Sequence, residues 1–376
     1  MREETRIVRS ALTEVRPGEP LHAGPVFTTA FHTPGDPSSV AYSYARSHNP
    51  TWTALEAAIW QMERSEESAL DSGGARVFGS GLAAVAAVFG AVLRTGDTVV
   101  LPGNAYFAAR QLLQELFAPM GVTLRLVEIS ALTDAQTLAG ARLVWLETPG
   151  NPGLEITDVA HIAQMAHRVG ALVAVDNTTA TPLGQKPLEL GADLSVCSDS
   201  KSMCGHGDLL LGHVATGDAP LLQRLDRQRT LTGGVPGPME AWLALRSLAT
   251  LPLRLQRSSA NALAIAEFLL TRHEVVNVLY PGLPTHSGHA VAARQMQFFG
   301  PVLGFTLPTQ QAAEIFLAHA ELVTEATSFG GMTTSAERRA RWGHDRIAPG
   351  FIRMSAGCED VADLIDDIAH ALDRAR

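Results

Sequence analysis

Short apolar runs alternate with an amphipathic segment in the middle of the chain. Residues 98–101, 124–127, 143–146 and 172–175 are short stretches made mostly of apolar residues, and residues 158–169 repeat apolar side chains on one helical face. Runs of this length suit strands that are buried on both faces of a parallel sheet. Strand, helix and strand at this spacing form a βαβ unit, so the sequence predicts an open α/β domain.

The chain is longer than one ordinary compact domain. It has 376 residues, and the stretch TGGVPGP at residues 232–238 is the best candidate boundary. We therefore expect an extended N-terminal arm at residues 1–50, a cofactor-binding α/β domain at residues 51–235 and a C-terminal α/β domain at residues 236–376. The arm is rich in Pro, Gly, Ser and Thr and lacks periodicity, whereas the chain closes with an amphipathic helical pattern.

Charge and cysteine usage exclude several classes of protein. Acidic residues outnumber basic ones by 38 to 29, and no basic run is long enough to follow a phosphate backbone, so we expect no nucleic-acid partner. The nearly apolar run at residues 81–93 is too short to span a bilayer, so we expect no membrane association. The first ten residues lack the apolar core of a signal peptide. An odd number of cysteines, with no C-x-x-C pair, suits a reducing cytoplasm; they are Cys197, Cys204 and Cys358.

Asp176 and Lys201 are the first candidates for chemistry. Asp176 ends a predicted buried strand, where a carboxylate facing a pyridine nitrogen would keep that nitrogen protonated and let the ring accept electrons. Lys201 lies among small polar residues, and Ser198 and Ser200 beside it offer hydroxyls to a phosphate. A lysine forms a useful imine when it can lose its proton. The alternatives are a helix-capping aspartate and a solvated loop lysine, and their pairing in one short stretch favours the chemical interpretation.

The sequence GSGLAA at residues 79–84 opens a predicted helix. Free backbone N–H groups at a helix start, beside small residues, form an anion site. The same letters satisfy the loose dinucleotide pattern G-x-G-x-x-A, but Pro102 and Gly103 follow the next strand where an acidic residue is expected. A phosphate cradle without a dinucleotide is therefore the better interpretation, and a plain tight helix start is the alternative.

Taken together, these segments resemble the Cys/Met-metabolism family of pyridoxal 5′-phosphate (PLP)-dependent enzymes, which includes cystathionine γ-lyase, γ-synthase and β-lyase and methionine γ-lyase. The matching blocks follow the family's order along nearly the whole chain: YARSHNPT at 44–51, GSGLAA at 79–84, ETPGNP at 147–152, the segment 176–208, and the blocks at 280–296 and 352–368. The resemblance implies an α/β, aspartate-aminotransferase-like fold (fold type I), with a large mixed-to-parallel sheet domain and a smaller C-terminal α/β domain.

The resemblance also implies a role for individual residues. Lys201 would hold PLP as a Schiff base and move protons, Asp176 would pair with the pyridine nitrogen, and Tyr106 would stack on the ring and act as acid or base. Further cofactor contacts are implied for Gly81, Leu82, Asn151, Thr178, Ser198 and Ser200, and for Tyr44 and Arg46 of a neighbouring subunit. Arg353, with Ser328 and Asn151, would bind the substrate carboxylate, a task that suits a bidentate guanidinium.

The chain departs from the family pattern at several positions, and one of them is Ala108, where many methionine γ-lyases carry a cysteine. Cys197 replaces the usual histidine and Ser200 the usual threonine, while Met332 begins a shorter loop where many members have a β-branched residue and Glu-Ser. Because that loop lies near the distal end of the substrate, the identity of the substrate stays open.

The resemblance implies α,γ-elimination of cystathionine or methionine by a cytoplasmic homotetramer, a dimer of dimers with shared active sites. The product would be a 2-oxo acid, with release of ammonia and a thiol. The alternatives are γ-replacement, β-elimination, an NAD-binding oxidoreductase built on GSGLAA, and a PLP fold retained as a binding scaffold.

Overall fold

The computed structural model describes residues 1–68, 70 and 72–376. Within this part, a seven-stranded mixed sheet forms the larger body of the protein. Its strands are β1 (Gly74–Phe78), β2 (Thr98–Pro102), β3 (Thr123–Val127), β4 (Ala141–Glu147), β5 (Leu172–Asp176), β6 (Leu194–Cys197) and β7 (Gly212–Thr216). They lie in the order β1-β7-β6-β5-β4-β2-β3, and β7 runs antiparallel to both of its neighbours. The four strands expected from the apolar runs are present, each within two residues of the expected bounds.

A five-stranded sheet forms the C-terminal part. Its strands are β8 (Asn277–Leu279), β9 (Val302–Thr306), β10 (Thr324–Glu325), β11 (Ser335–Arg338) and β12 (Phe351–Ser355). They lie in the order β10-β11-β12-β9-β8, with β10 and β11 parallel and the other pairs antiparallel. A large mixed sheet followed by a smaller one is the architecture that the sequence predicted.

Helices cover both sheets and connect their strands. The α-helices are α1 (Glu3–Arg9), α2 (Pro50–Glu63), α3 (Gly81–Val92), α4 (Phe107–Leu112), α5 (Ala135–Leu138), α6 (Val159–Arg168), α7 (Thr181–Gly184), α8 (Ala219–Thr232), α9 (Pro238–Leu248), α10 (Leu251–Leu270), α11 (His289–Gln295), α12 (Gln310–His319) and α13 (Val361–Arg374). A short π-helix lies at Leu113–Phe117, and short 3₁₀ helices lie at Pro37–Ser39, Ala118–Met120, Ile129–Thr133 and Arg339–Trp342. Among these described helices, none is both long and apolar enough to cross a bilayer.

Alternating side chains on β4 explain why both faces of the large sheet are covered. Trp145 packs against α3, whereas Val144 and Leu146 pack against α6 on the opposite face. At the start of α6, the Asp158 side chain accepts a hydrogen bond from the backbone N–H of His161 at 3.1 Å, as an N-cap should. The parallel strands between these helices direct their carboxyl ends to one edge of the sheet.

The N-terminal arm and the domain boundary are less simple than the sequence indicated. Helix α1 was not expected, and its Ile7 is buried in the same apolar cluster as α2. That cluster also contains α9 and the beginning of α10, whereas Ile265 and Leu269 near the end of α10 belong to the core of the small sheet. The division into residues 51–235 and 236–376 stays a prediction.

All three cysteines of the chain are free thiols.

Candidate active site

A cavity of about 390 Å³ opens at the carboxyl-end edge of the large sheet. Neighbouring strands bring Glu147 and Asp176 side by side, since these two residues are register partners at the ends of β4 and β5. The cavity is lined by eleven of the residues singled out from the sequence: Gly81, Leu82, Tyr106, Asn151, Asp176, Thr178, Ser198, Ser200, Lys201, Ser328 and Arg353. The fold therefore gathers at one edge groups that lie more than 270 residues apart in the chain.

Lys201 lies in the loop after β6 and is partly buried. Its Nζ donates a hydrogen bond to the Ser328 hydroxyl at 2.6 Å and lies 5.4 Å from the centre of the Phe329 ring. Burial, reinforced by the positive charge of Arg353, lowers the pKa of Lys201. A lysine that gives up its proton more readily is better suited to form an imine and to act as a base.

Ser328 holds an uncommon backbone conformation beside this lysine. Its φ angle is +83°, in the left-handed region that residues other than glycine rarely adopt. Backbone strain of this kind collects at functional sites, where the surrounding structure enforces it. Here the side chain meets Lys201 while the backbone carbonyl accepts a hydrogen bond from Arg353 at 2.8 Å, so one residue connects the two candidate cations.

Asp176 and Glu147 form a buried pair of carboxyl groups. The Asp176 side chain accepts a hydrogen bond from the Thr178 N–H at 3.0 Å, and burial raises the pKa of Asp176. Burial, followed by the adjacent Asp176, raises the pKa of Glu147 well above its usual range. Glu147 accepts the backbone N–H groups of Tyr106 at 2.6 Å and Asn151 at 3.0 Å. It thereby positions two of the expected site residues.

Glu147 was missed by the sequence analysis. A signal was available, because the residue ends a buried strand and opens the ETPGNP block. What the sequence could not supply was the register that places it beside Asp176.

Tyr106 immediately precedes α4 and is half-buried. Burial, and then the charges of Asp176 and Glu147, raise the pKa of its phenol. The hydroxyl therefore keeps its proton at neutral pH and has one to donate. The pKa of Lys201 is thus lowered and that of Tyr106 raised within one cavity. Opposite pKa shifts of this kind are typical of a base and an acid that act together.

The start of α3 forms a narrow cradle on the other side of the cavity. The Ser80 side chain caps the helix by accepting the Ala83 N–H at 3.1 Å, and the first turn of any helix presents further unpaired N–H groups. A Cβ atom on Gly81 would lie 2.5 Å from Cβ of Ser198, and one on Gly212 would lie 2.6 Å from Cα of Gly81. The close packing requires glycine at both positions.

These features fit pyridoxal 5′-phosphate. The backbone at Gly81 and Leu82 and the hydroxyls of Ser198 and Ser200 would hold the phosphate, and Asp176 would face the ring nitrogen. A protonated ring nitrogen would favour the charged form of that buried carboxylate. Lys201 would reach the aldehyde carbon. The residue roles stay predictions, while the donor set matches the group that they were predicted to bind.

Arg353 lines the end of the cavity where the substrate carboxylate is predicted to bind. It is 3% exposed, and its guanidinium donates to the Asn151 side-chain oxygen at 2.6 Å and to the Ser328 carbonyl. Burial lowers the pKa of Arg353 to about 10, so the group is still cationic at neutral pH. Arg353 therefore contacts both of its predicted partners, Ser328 and Asn151.

Glu337 anchors this end from behind and was also missed by the sequence analysis. It is fully buried, lies opposite Arg353 in the β11–β12 pairing and forms an ion pair with it. It also accepts hydrogen bonds from Arg339 at 3.1 Å, Arg341 at 3.2 Å and the Trp342 indole N–H at 2.9 Å. Burial opposes the charged form of Glu337, but Arg353 and the other donors outweigh it and lower the pKa.

The distal wall of the cavity comes from the segment after β11. The His344 ring stacks on Phe107 with centres 4.6 Å apart and planes 13° apart, and Trp342 is 45% exposed at the mouth. Arg339 lines the same wall, but its guanidinium is paired with Glu337 and, at 2.7 Å, with Asp345. This wall follows the shortened loop that begins at Met332, where the sequence departs from the family pattern.

Tyr44 and Arg46 are not among the residues that line the cavity of this chain. Both are exposed, and Arg46 lies over the Tyr44 ring and donates to the Thr230 carbonyl at 2.6 Å. Their expected role is toward a neighbouring subunit, and it stays a prediction.

Comparisons with known proteins agree with the geometry. Residues 17–373 match the family described as Cys/Met metabolism PLP-dependent enzyme. A Streptomyces coelicolor protein named putative cystathionine gamma-lyase is 50% identical over 98% of this chain and 93% of its own length. A cystathionine gamma-synthase of Mycobacterium tuberculosis is 40% identical over 88% of this chain and 86% of its own. The crystal structure of a methionine gamma lyase from Micromonospora echinospora superposes with a TM-score of 0.90 at 36% identity, covering 99% of each chain.

Proposed function

This chain belongs to the Cys/Met-metabolism family of PLP-dependent enzymes, and we propose that it catalyses α,γ-elimination of cystathionine or methionine to a 2-oxo acid, ammonia and a thiol. The predicted fold and cofactor are confirmed by that membership. One observation carries the proposal: Lys201, Tyr106 and Arg353 converge on one cavity. The relative named putative cystathionine gamma-lyase and the structure of a methionine gamma lyase support it.

Arg353 sets the orientation of the substrate. Its guanidinium binds the substrate carboxylate through two charge-assisted hydrogen bonds, and Asn151 and Ser328 hold that guanidinium in place. With the carboxylate fixed at this end, the α-carbon lies toward Lys201 and the sulfur toward the distal wall. PLP, when bound, supplies an electron sink that stabilises negative charge at the α-carbon.

Two groups then move protons. Lys201 Nζ, with its lowered pKa, takes the proton from Cα, gives that proton up to the electron-rich conjugated system, and is then free to take a proton from Cβ. After the thiol has left, reprotonation of the substrate carbon chain and hydrolysis by one water molecule give the 2-oxo acid and ammonia. Tyr106, with its raised pKa, keeps a proton and gives it to the departing γ-sulfur. Glu147 holds the backbone of Tyr106 in place and so fixes the direction of that donation.

The distal wall favours elimination over γ-replacement. Replacement requires the site to hold a second amino acid, whose carboxylate needs a further cation besides Arg353. Among the described residues that line the cavity, the lysine and guanidinium cations are Lys201, Arg353 and Arg339. Arg353 is paired with one carboxylate, Glu337, whereas Arg339 is paired with two, Glu337 and Asp345, and has the less positive charge to offer. The distal half of cystathionine, by contrast, stays attached through the C–S bond until that bond breaks and needs no carboxylate site of its own.

Product analysis tests this proposal. Purified enzyme with added PLP is incubated separately with cystathionine, with methionine, and with an O-acylated homoserine in the presence of cysteine. We expect 2-oxobutanoate and ammonia with cysteine from cystathionine, or with methanethiol from methionine. Pyruvate and homocysteine from cystathionine would identify β-elimination instead. Efficient formation of cystathionine from the third mixture, without 2-oxobutanoate from the first two, would identify γ-replacement and overturn the proposal.

A further inference from the structure

A group of charged residues is buried beneath the lysine loop, away from the cavity. It consists of Glu63 at the end of α2, His213 on β7 and Asp199 in the loop, and we name it the buried triad. Their exposures are 0%, 0% and 1%. His213 Nδ1 lies 2.7 Å from Asp199 Oδ1, and His213 Nε2 lies 2.8 Å from Glu63 Oε1. The proposed reaction uses none of these three groups.

The buried triad connects the lysine loop to the core of the large domain. Asp199 lies between Ser198 and Ser200 and two residues before Lys201. At the other end, Glu63 also accepts a hydrogen bond from the Ser195 hydroxyl on β6 at 2.9 Å. A helix and two strands therefore fix the side chain at the centre of the loop.

The hydrogen bonds define the charge on His213. Both ring nitrogens face carboxylate oxygens, which accept and cannot donate when ionised, so both nitrogens must carry a proton. Burial acts to lower the pKa of His213, but Asp199 and Glu63 outweigh it and raise it to about 10. The other two carboxylate oxygens, Glu63 Oε2 and Asp199 Oδ2, find no hydrogen-bond partner among the described residues. Loss of the central charge would leave two buried carboxylates uncompensated, so Asp199 would have to move.

A metal site is the alternative use of these residues. Ligand atoms of Glu63, Cys197 and His213 lie within 4.8 Å of one another. However, each His213 nitrogen is already at hydrogen-bond distance from an oxygen, which leaves no space for an ion between them. Burial, followed by the charges of Glu63 and Asp199, also raises the pKa of the Cys197 thiol, which disfavours the thiolate that a metal needs.

We propose that the buried triad is a positioning device for the cofactor: by fixing Asp199, it sets the places of Ser198 and Ser200 at the phosphate and of Lys201 at the ring of PLP. Asp199 is a positioning residue rather than a catalytic one, because it points away from the cavity into the core. The three residues lie at increasing distance from the loop along a chain of contacts. Asp199 belongs to the loop, His213 contacts Asp199, and Glu63 contacts His213 but not the loop residue.

Because the three residues differ in their distance from the loop, their variants should differ in PLP affinity. Apoenzymes of Asp199→Asn, His213→Gln and Glu63→Gln are titrated with PLP by absorbance, and their thermal unfolding is measured without cofactor. All three should lower the Tm of the apoenzyme. Asp199→Asn and His213→Gln should raise the Kd for PLP at least about tenfold, and Glu63→Gln less than about threefold. A network that only stabilises the fold would give wild-type Kd values in all three.

Two further measurements keep the proposal open to refutation if Asp199→Asn fails to fold. Asp199→Glu keeps the charge pair with His213 but lengthens the side chain, so the loop should shift while the fold is retained. We expect weaker PLP binding and a displaced pH titration of the bound cofactor's visible absorbance band. Wild-type affinity and titration in Asp199→Glu would contradict the proposal. So would one equivalent of tightly bound zinc in the wild-type protein, which would assign the same residues to a metal.

Discussion

The two ends of the cavity are built in different ways. The end proposed for the cofactor consists of Asp176 at the end of β5, Lys201 in the loop after β6 and Gly81 at the start of α3. The substrate end depends on a cross-strand ion pair between Arg353 and Glu337, and on a wall of Trp342 and His344 supplied by a loop. The first end is a property of the edge of the large sheet, whereas the second depends on a strand pairing in the small sheet and on one loop.

Because the two ends are built differently, substitutions at one end should have different effects from substitutions at the other. Altering the cofactor end should change PLP binding or abolish the chemistry outright, because every step needs the cofactor. Altering the substrate end should leave PLP bound and change kcat/KM or the choice of substrate. The expected effects decrease from the reacting lysine to the distal wall.

The largest effect is expected for Lys201. The chain has two lysines, Lys186 and Lys201, so the first supplies a natural control. Lys201→Ala removes the imine-forming amine and the proposed base, and should lower kcat by about 10³-fold or more. Lys186 pairs with Glu3 outside the cavity, and Lys186→Arg keeps that charge, so its kcat should stay near wild type. Equal losses in both variants would point to unfolding rather than chemistry.

Arg353→Lys should separate the two ends of the cavity. Lysine keeps the charge but loses the planar fork, so kcat/KM should fall at least about tenfold, equivalent to about 1.4 kcal/mol. The visible absorbance of bound PLP should stay intact. Arg46→Lys should show the reverse, with easier loss of PLP. Bleached Arg353→Lys protein with normal kcat/KM in excess PLP would show that the carboxylate assignment is wrong.

Shared sites predict complementation between inactive subunits. Mixing Arg46→Ala with Lys201→Ala protein gives hybrid dimers with one intact site each, if Arg46 serves its neighbour. Random exchange makes about half of all dimers hybrid, so activity should recover to about a quarter of wild type by mass action. Recovery that is absent after demonstrated subunit exchange, or full activity in a strict monomer, would refute the shared site.

The smallest effect concerns the distal wall. Trp342→Phe keeps an aromatic ring but removes the N–H that Glu337 accepts, while three arginines still pair with that carboxylate. We expect kcat/KM for the preferred thioether to change by about threefold, with an unchanged Kd for PLP, since one hydrogen bond contributes about 0.5–1.5 kcal/mol. A large loss of PLP affinity would mean that the two ends are not independent.

The same contrast explains how much the sequence could predict. The four early strands, the edge position of Asp176 and the helix start at Gly81 depend on local patterns that the chain displays within a few residues. Glu337 and Glu147 escaped because their importance lies in register: one faces Arg353 across β11–β12, and the other lies beside Asp176 across β4–β5. The residue type at a single position does not indicate which residue of a distant strand it will pair with.

The buried triad escaped for a related reason. In the sequence, Asp199 is one polar residue in a polar loop, and His213 lies inside a short apolar strand. Only the fold brings Glu63, more than 130 residues before either of them, into contact with both His213 and Ser195 on β6. Charges buried in a core are therefore the part of this site that needed the structure.

Reductive trapping tests the central assignment most directly. Borohydride treatment of the yellow holoenzyme, followed by digestion and mass spectrometry, should place one reduced pyridoxyl phosphate group on the peptide that contains Lys201 and none on the peptide that contains Lys186. Because the chain has two lysines, the reduced group can be attached to the side chain of Lys201 or to that of Lys186. A colourless protein, or a label on Lys186 with Lys201 unmodified, would contradict the assignment of Lys201 as the residue that holds PLP.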